Sequence, residues 1–171
     1  MEELLKDRRG NLTLTNINGL CRIALDKLKK TYEQDIQEKN IRIIFDNLTL
    51  SLMMEVNVEQ FSKVLAGILK NSMYALLKKS ETVTFSPEIF LGLKVNKDML
   101  EITIRDNGSG IDENIKDKIF APFFTTKTTG EAAGVGLYLC REIVQNHRGT
   151  IEVESKKGEY TPVSYTHLTL P

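Results

Sequence analysis

The feature that most constrains the fold is a long amphipathic segment that begins near Glu59. Its apolar residues recur every three or four positions, which predicts a helix with one continuous apolar stripe. The stripe consists of Phe61, Val64, Leu65, Ile68, Leu69, Ala75 and Leu76. A stripe of this length has to be buried against a second layer of structure.

The rest of the chain alternates between helical and strand patterns. Two more helices are predicted at residues 20–38 and 135–146, the second closed by Gly149. Strands are predicted at residues 12–17, 41–45, 51–56, 88–95, 99–105 and 150–155, and the turn Asn96-Lys97-Asp98 joins two of them into a hairpin. Helices mixed with hairpin strands favour the α+β class, a two-layer sandwich with one mixed sheet, over a doubly wound parallel sheet.

Composition limits the possible functions. The 171 residues carry 23 basic and 23 acidic side chains, so no net charge attracts nucleic acid or an anionic membrane. No apolar run approaches the roughly 20 residues of a membrane span, and the first residues do not form a signal peptide. Cys21 and Cys140 lack metal-binding spacing, which predicts free core thiols in a reducing compartment. We therefore expect one cytoplasmic domain.

Two polar positions stand out on the predicted elements. Asp106 follows a strand and opens the string Asp-Asn-Gly-Ser-Gly, whose glycines Gly108 and Gly110 let the backbone approach a flat ligand. A half-buried carboxylate there needs a donor such as an adenine amino group, although an ordinary turn has the same residues. Asn71 lies on the long helix, where its amide oxygen could bind Mg²⁺, but a lone asparagine is more often a surface or capping residue.

Two further segments suggest phosphate binding. The string Phe120-Ala-Pro-Phe-Phe-Thr-Thr-Lys127 predicts a loop anchored by aromatic side chains, with Lys127 either near a phosphate or merely solvated. Gly134 and Gly136 lie at the start of the helix predicted at residues 135–146, where free amides can bind phosphate. A dinucleotide fingerprint is excluded because Leu139 holds its third glycine position and no strand precedes it. The chain also lacks a Gly-Lys-Ser/Thr phosphate loop.

The order and spacing of these four segments resemble the four boxes of the GHKL superfamily of ATPases, and the Pro-Phe-Phe-Thr-Thr-Lys form is similar to that of histidine kinases. The resemblance spans residues 12–155. It implies a Bergerat-type fold, with a mixed sheet on one side, three helices on the other, and ATP between the helices and a lid. By the same resemblance, Asn71 coordinates Mg²⁺ and Asp106 accepts the adenine amino group. The other implied contacts with the base or the phosphates are Gly108, Gly110, Lys127, Gly134, Gly136 and Leu137.

The sequence departs from the family pattern at two places. Gly67 stands where the family usually has an asparagine. That asparagine is not the metal ligand of the family, so its replacement does not affect the predicted metal site. The last box reads Ala132-Ala133-Gly134-Val135 instead of Gly-Thr-Gly-Leu, so that Ala132 removes one permissive glycine from the lid hinge, a change expected to slow lid motion.

The resemblance also implies a domain organisation. Residues 1–10 look like the end of an upstream helical hairpin that carries the phospho-accepting histidine, and residues 11–160 form the ATP-binding catalytic domain. Residues 161–171 are either its last strand or foreign read-through sequence. His147 does not lie in an acceptor context and His167 lies in this tail. No catalytic residue is therefore assigned, and the chain alone is not expected to phosphorylate itself.

Three functions fit these residues. The first is the ATP-binding catalytic module of a two-component sensor histidine kinase, which presents the γ-phosphate of Mg·ATP to a histidine on another domain. Its partners would be that helical domain, a response regulator and a second copy of the parent protein. The alternatives are a nucleotide-binding regulatory module without transfer, and an anti-sigma-type serine kinase of the same superfamily. The Phe-Phe-Thr-Thr-Lys box argues against the last of these.

Overall fold

The computed structural model describes residues 11–47, 51–110, 136–156 and 163–170. The helices in these ranges are α1 (Ile17–Thr31), α2 (Glu33–Lys39), α3 (Val58–Ser80) and α4 (Leu137–Asn146). The strands are β1 (Thr13–Asn16), β2 (Arg42–Asp46), β3 (Met53–Val56), β4 (Glu88–Asn96), β5 (Met99–Asp106), β6 (Thr150–Lys156) and β7 (Val163–Leu170).

Five of these strands form a mixed sheet in the order β2-β4-β5-β7-β6. Strands β2 and β4 run parallel, and the other neighbouring pairs run antiparallel. Lys97, with a left-handed φ of 57°, lies in the turn between β4 and β5. The prediction of an α+β fold with helices packed on a mixed sheet is confirmed.

Strands β1 and β3 form a separate two-stranded antiparallel ribbon, whereas the sequence had predicted a single sheet. Side chains alternate across this ribbon, so that Met54 and Val56 face the core while Leu14 and Met53 are exposed. The amide of Ile17 donates a 2.8 Å hydrogen bond to the carbonyl of Leu52. The ribbon therefore continues directly into α1.

Helix α3 is the centre of the core and contacts α1, α4, β4 and β5. The stripe predicted for it is buried except at Ala75, which is partly exposed. Each fully buried large apolar side chain of this kind stabilises a fold by about 1.5–3 kcal/mol. Although α3 has 23 residues, no helix in the described ranges is long and apolar enough to cross a membrane.

Asparagine caps fix where two of the helices begin. The side-chain oxygen of Asn16 accepts the amide hydrogen of Gly19 at 3.1 Å, and that of Asn57 accepts the amide hydrogen of Gln60 at 3.0 Å. Each cap satisfies a first-turn amide that has no partner within the helix. The caps place the start of α1 directly after β1 and the start of α3 directly after β3.

The helix predicted at residues 20–38 is broken at Tyr32. This residue has φ −111° and ψ 27°, outside helical geometry. Hydrogen bonds continue on both sides of the break, from the Tyr32 amide to the carbonyl of Leu28 and from the Ile36 amide to the carbonyl of Tyr32. Tyr32 and Ile36 both pack against the core. The break therefore lets the chain change direction while both helices keep an apolar contact.

His147 links the end of α4 to the start of α3. Its Nε2 accepts the amide hydrogen of Asn57 at 3.0 Å, which places the ring proton on Nδ1, and Nδ1 donates to the carbonyl of Ile143 at 2.8 Å. The ring is buried and lies 6.2 Å from the Phe61 ring, measured between centroids. Both ring nitrogens are thus engaged in holding the two helices together.

Candidate functional site

Strand β5 carries Asp106 to the helix side of the sheet. Buried apolar residues alternate along this strand, and Asp106 continues the alternation at its last position. The residue is only 3% exposed. Its Oδ1 accepts the amide hydrogen of Gly108 at 2.9 Å, and the hydroxyl of Ser72 on α3 donates a second hydrogen bond. The sheet and the helix thus meet at a buried carboxylate.

The Asp106 carboxylate keeps acceptor capacity for a ligand. An ionised carboxylate has about four lone-pair sites, and the bonds from Gly108 and Ser72 use two of them. Burial raises the pKa of Asp106 to about 6, while the Gly108 amide, the Ser72 hydroxyl and the charge of Lys79 lower it. The group therefore changes charge close to neutral pH.

Gly108 lies against α3 with no room for a side chain. A Cβ at this position would lie 2.6 Å from the carbonyl carbon of Ala75 and 2.7 Å from its Cβ. The amide of Ser109 donates to the carbonyl oxygen of Ala75 at 3.2 Å, and Gly110 has a left-handed φ of 72°. Close approach thus requires the first glycine, and backbone conformation favours the second.

Asn107 anchors the turn between these residues. Its Oδ1 accepts the amide hydrogen of Glu88 at 2.8 Å, and its Nδ2 donates to the carbonyl of Ser86 at 2.8 Å. Its own carbonyl accepts a 3.0 Å hydrogen bond from Nζ of Lys79. The turn is therefore attached both to the start of β4 and to the last turns of α3.

Sequence reasoning missed the roles of Ser72 and Lys79. The sequence patterns single out neither residue. The available signal was their spacing from Ala75, since residues three before and four after it share its face of the helix. That face is the one against which the Asp106 turn packs.

Asn71 belongs to the same part of α3. It is half-buried, immediately precedes Ser72, and lies four residues before Ala75, so it shares a helical face with the Gly108 contact. In the described part of the chain, no three His, Cys, Asp or Glu side chains form a metal-binding cluster. The amide oxygen of Asn71 is a neutral ligand of the kind that Mg²⁺ accepts, since this ion often takes only one or two protein ligands.

The start of α4 is a second polar feature. Gly136 is its N-terminal cap residue, in an extended conformation, and as a glycine it has no side chain with which to cap the helix. The helix itself begins at Leu137, which packs partly against the core. Uncapped first-turn amides of this kind suit an anion. The predictions for Lys127 and Gly134, and for the aromatic loop, fall outside the described residues.

Comparison with known proteins identifies the family. The family of histidine kinase-, DNA gyrase B- and HSP90-like ATPases matches residues 57–171. The chain belongs to this family, and the resemblance based on the four boxes is confirmed. The match begins at Asn57, the cap of α3, and includes every position assigned to the candidate site.

Two sensor kinases are among the relatives. The sensor histidine kinase ZraS of Salmonella typhi is 27% identical over 157 residues, which cover 92% of this chain and 31% of ZraS. A probable C4-dicarboxylate sensor kinase of Halalkalibacterium halodurans is 36% identical over 139 residues, which cover 81% of this chain and 25% of that protein. The chain thus spans about a third or less of these curated relatives.

Solved histidine kinases share the fold. The catalytic domain of histidine kinase ThkA, without nucleotide, has a TM-score of 0.74 and 27% identity, covering 94% of this chain and 95% of that one. ThkA in complex with the response regulator protein TrrA has a TM-score of 0.67 and 24% identity, covering 94% of this chain and 42% of that one. The fold is that of a histidine kinase catalytic domain.

The contact at Gly108 predicts a selective loss of stability. Gly108→Ala should lower the free energy of unfolding by about 1–3 kcal/mol, because the backbone of Ala75 cannot retreat without moving α3. Gly19→Ala within α1 is the matched control, since a Cβ there comes no nearer than 3.7 Å to the Asn16 side chain and alanine is favoured in a helix; it should not lower the free energy of unfolding. Urea unfolding compares them. A Gly108→Ala variant as stable as the parent would contradict the contact.

The buried carboxylate predicts a pH-dependent effect of Asp106→Asn. The folded pKa of about 6 exceeds the usual value of about 3.9 in an unfolded chain. The protonated carboxyl therefore stabilises the fold below about pH 4, and this contribution is lost as the pH rises to about 6. Near neutral pH the buried charge costs on the order of 3 kcal/mol, which a neutral amide avoids while still accepting from Gly108.

Asp106→Asn should therefore raise the free energy of unfolding near neutral pH, with a difference that shrinks towards about pH 4. Urea unfolding across this range measures it. Asp98→Asn, at an exposed position of the β4–β5 turn, is the control and should show no comparable gain. A difference between Asp106→Asn and the parent that does not depend on pH would show that folding does not raise the pKa of this carboxyl.

Proposed function

We propose that this chain is the ATP-binding catalytic module of a two-component sensor histidine kinase. The observation that carries the proposal is the buried Asp106 carboxylate, which the turn at Gly108 holds against Ala75 and Ser72 of α3. The module presents the γ-phosphate of ATP to a histidine on a separate helical domain. Membership of the ATPase family and the shared fold of ThkA support this assignment.

Asp106 accepts the amino group of adenine. Its carboxylate is shielded from water, so an N–H donor of the base forms a charge-assisted hydrogen bond with little competition from solvent. Gly108 and Gly110 carry no side chains that would block the flat face of the base. The Ser72 hydroxyl and the Gly108 amide keep the carboxylate oriented toward the ligand.

Asn71 supplies a side-chain oxygen to Mg²⁺, and the ion, when bound, neutralises charge on the phosphates of ATP. The uncapped amides at Gly136 and Leu137 face these phosphates at the positive end of α4. Lys127 and Gly134 complete the phosphate contacts in this proposal. The chain thus promotes transfer by positioning and by charge neutralisation, with no covalent step on its own residues.

The acceptor histidine and the partners lie outside this site. His147 is buried with both ring nitrogens hydrogen-bonded, so it is not available to receive a phosphate. The partners are an acceptor helical domain, a second copy of the parent protein and a response regulator, as ThkA forms a complex with TrrA. Cys21 and Cys140 are both buried and free, which favours a reducing, cytoplasmic setting.

The metal role of Asn71 predicts a Mg²⁺-dependent loss of binding. Asn71→Ala should weaken binding of Mg·ATP by roughly tenfold to a hundredfold, the effect of losing one strong polar contact. Binding of ATP in EDTA should change much less, because the adenine contact at Asp106 remains. Calorimetric titration with and without Mg²⁺ measures both. Asn47→Ala, at an exposed position after β2, is the control. Equal losses with and without the metal would remove Asn71 as its ligand.

A further inference from the structure

Lys79 occupies an unusual position for a surface lysine. It lies in the last turns of α3, is partly buried, and its Nζ donates to the carbonyl of Asn107 at 3.0 Å. The same Nζ lies 4.4 Å from the centre of the Phe85 ring. Its neighbour Lys78 is exposed and lies over the Tyr74 ring at 5.9 Å. Adjacent lysines therefore point to different surroundings, and only one of them reaches the Asp106 turn.

The carbonyl group that accepts the hydrogen bond from Lys79 is held in a fixed position. Asn107 is already fixed by its side-chain hydrogen bonds to Glu88 and Ser86, so its carbonyl has a defined direction. A cation bound to this carbonyl lies next to the carboxylate of the preceding residue, Asp106. Burial raises the pKa of Asp106, and the charge of Lys79 opposes that rise.

In the described part of the chain, the Arg105–Glu88 ion pair at this end of the sheet lies on the opposite face from Asp106. Arg105 forms a 3.5 Å ion pair with Glu88 and stacks on the Phe90 ring, and side chains of Arg105 and Asp106 alternate across β5. In the sheet, Asp106 pairs with Ile89 on one side and Ser164 on the other, neither of which titrates as an acid or base near neutral pH. From α3, the groups that act on the carboxylate are Ser72 and Lys79.

We infer that Lys79 is a positioning residue for Asp106: through its bond to the Asn107 carbonyl it holds the Asp106–Gly108 turn on α3, and its cation at this turn helps the Gly108 amide and the Ser72 hydroxyl to favour the charged carboxylate, which extends adenine binding to lower pH. The inference rests on the proposed adenine role of Asp106. It adds a residue to the site that lies eight positions beyond Asn71, two helical turns along α3. The same helix would thus provide the metal ligand near its middle and, near its C-terminal end, a cation that favours the charged form of the base acceptor.

Two variants separate the charge of Lys79 from its packing. Lys79→Met keeps the aliphatic stem but removes the charge and the donor, whereas Lys79→Gln keeps a donor and removes the charge alone. Lys79→Arg keeps both, and Lys78→Met is the matched control. The first measurement is a pH titration of the Asp106 side-chain carboxyl by carbon NMR in the nucleotide-free chain. Lys79→Met and Lys79→Gln should move its midpoint to higher pH, while Lys79→Arg and Lys78→Met should not.

The second measurement is the affinity for Mg·ATP over the same pH range. Near neutral pH, Lys79→Met should weaken binding by about tenfold, and the loss should grow as the pH falls. Lys79→Arg should restore most of the affinity. A purely structural role would lower affinity by the same factor at every pH and would not move the carboxyl midpoint.

The two measurements distinguish a failure of the Lys79 inference from a failure of the proposed adenine role of Asp106. An Asp106 midpoint that stays unchanged in both Lys79→Met and Lys79→Gln overturns the inference, whatever happens to nucleotide binding. If Lys79→Met does not fold, Lys79→Gln alone decides this point, because glutamine keeps a neutral donor at this position. A midpoint that moves while the affinity for ATP stays constant at every pH overturns instead the adenine role of Asp106.

Discussion

The backbone contact between Gly108 and Ala75 is the constraint on which the site depends. It presses the end of β5 onto one face of α3, and a Cβ at Gly108 would force the two apart. Because of this contact, the Asp106 carboxylate on the buried face of β5 accepts a hydrogen bond from the Ser72 hydroxyl on α3. Asn71 lies one helical turn from Ala75 on the same helix. The apolar core beneath supplies the free energy that keeps helix and sheet together.

Burial of the Asp106 carboxylate lowers the stability of the fold and, in the proposed function, favours binding of the nucleotide. A carboxylate that is 97% removed from solvent, given its 3% exposure, would be more stable as a neutral group. The chain offsets part of that cost with the Gly108 amide, the Ser72 hydroxyl and the charge of Lys79. The rest of this free-energy cost is not offset within the chain. In the proposed function, the buried carboxylate is therefore a strong acceptor for the adenine amino group. Ligand binding would therefore relieve a strain that folding imposes.

Local periodicity explains what the sequence could predict. The stripe of α3 and the alternation along β5 are patterns within single elements, so they indicated both the layers and the position of Asp106 at a strand end. The break at Tyr32 has no glycine or proline to mark it, and the ribbon β1–β3 depends on which elements pack beside it. The bond from Lys79 to Asn107 joins residues 28 positions apart. Such contacts follow from tertiary packing, which periodicity does not encode.

The proposed hydrogen bond from the amino group of adenine to Asp106 is tested most directly by comparing the affinities of the chain for two nucleotides. Inosine triphosphate keeps the sugar, the phosphates and the ring shape of ATP but replaces the amino group with a carbonyl oxygen, which cannot donate. Calorimetric titration of the full chain with each nucleotide and Mg²⁺ should show ATP bound at least about tenfold more tightly, and Asp106→Ala should reduce this preference. Equal affinities of the parent chain for both nucleotides would contradict the account.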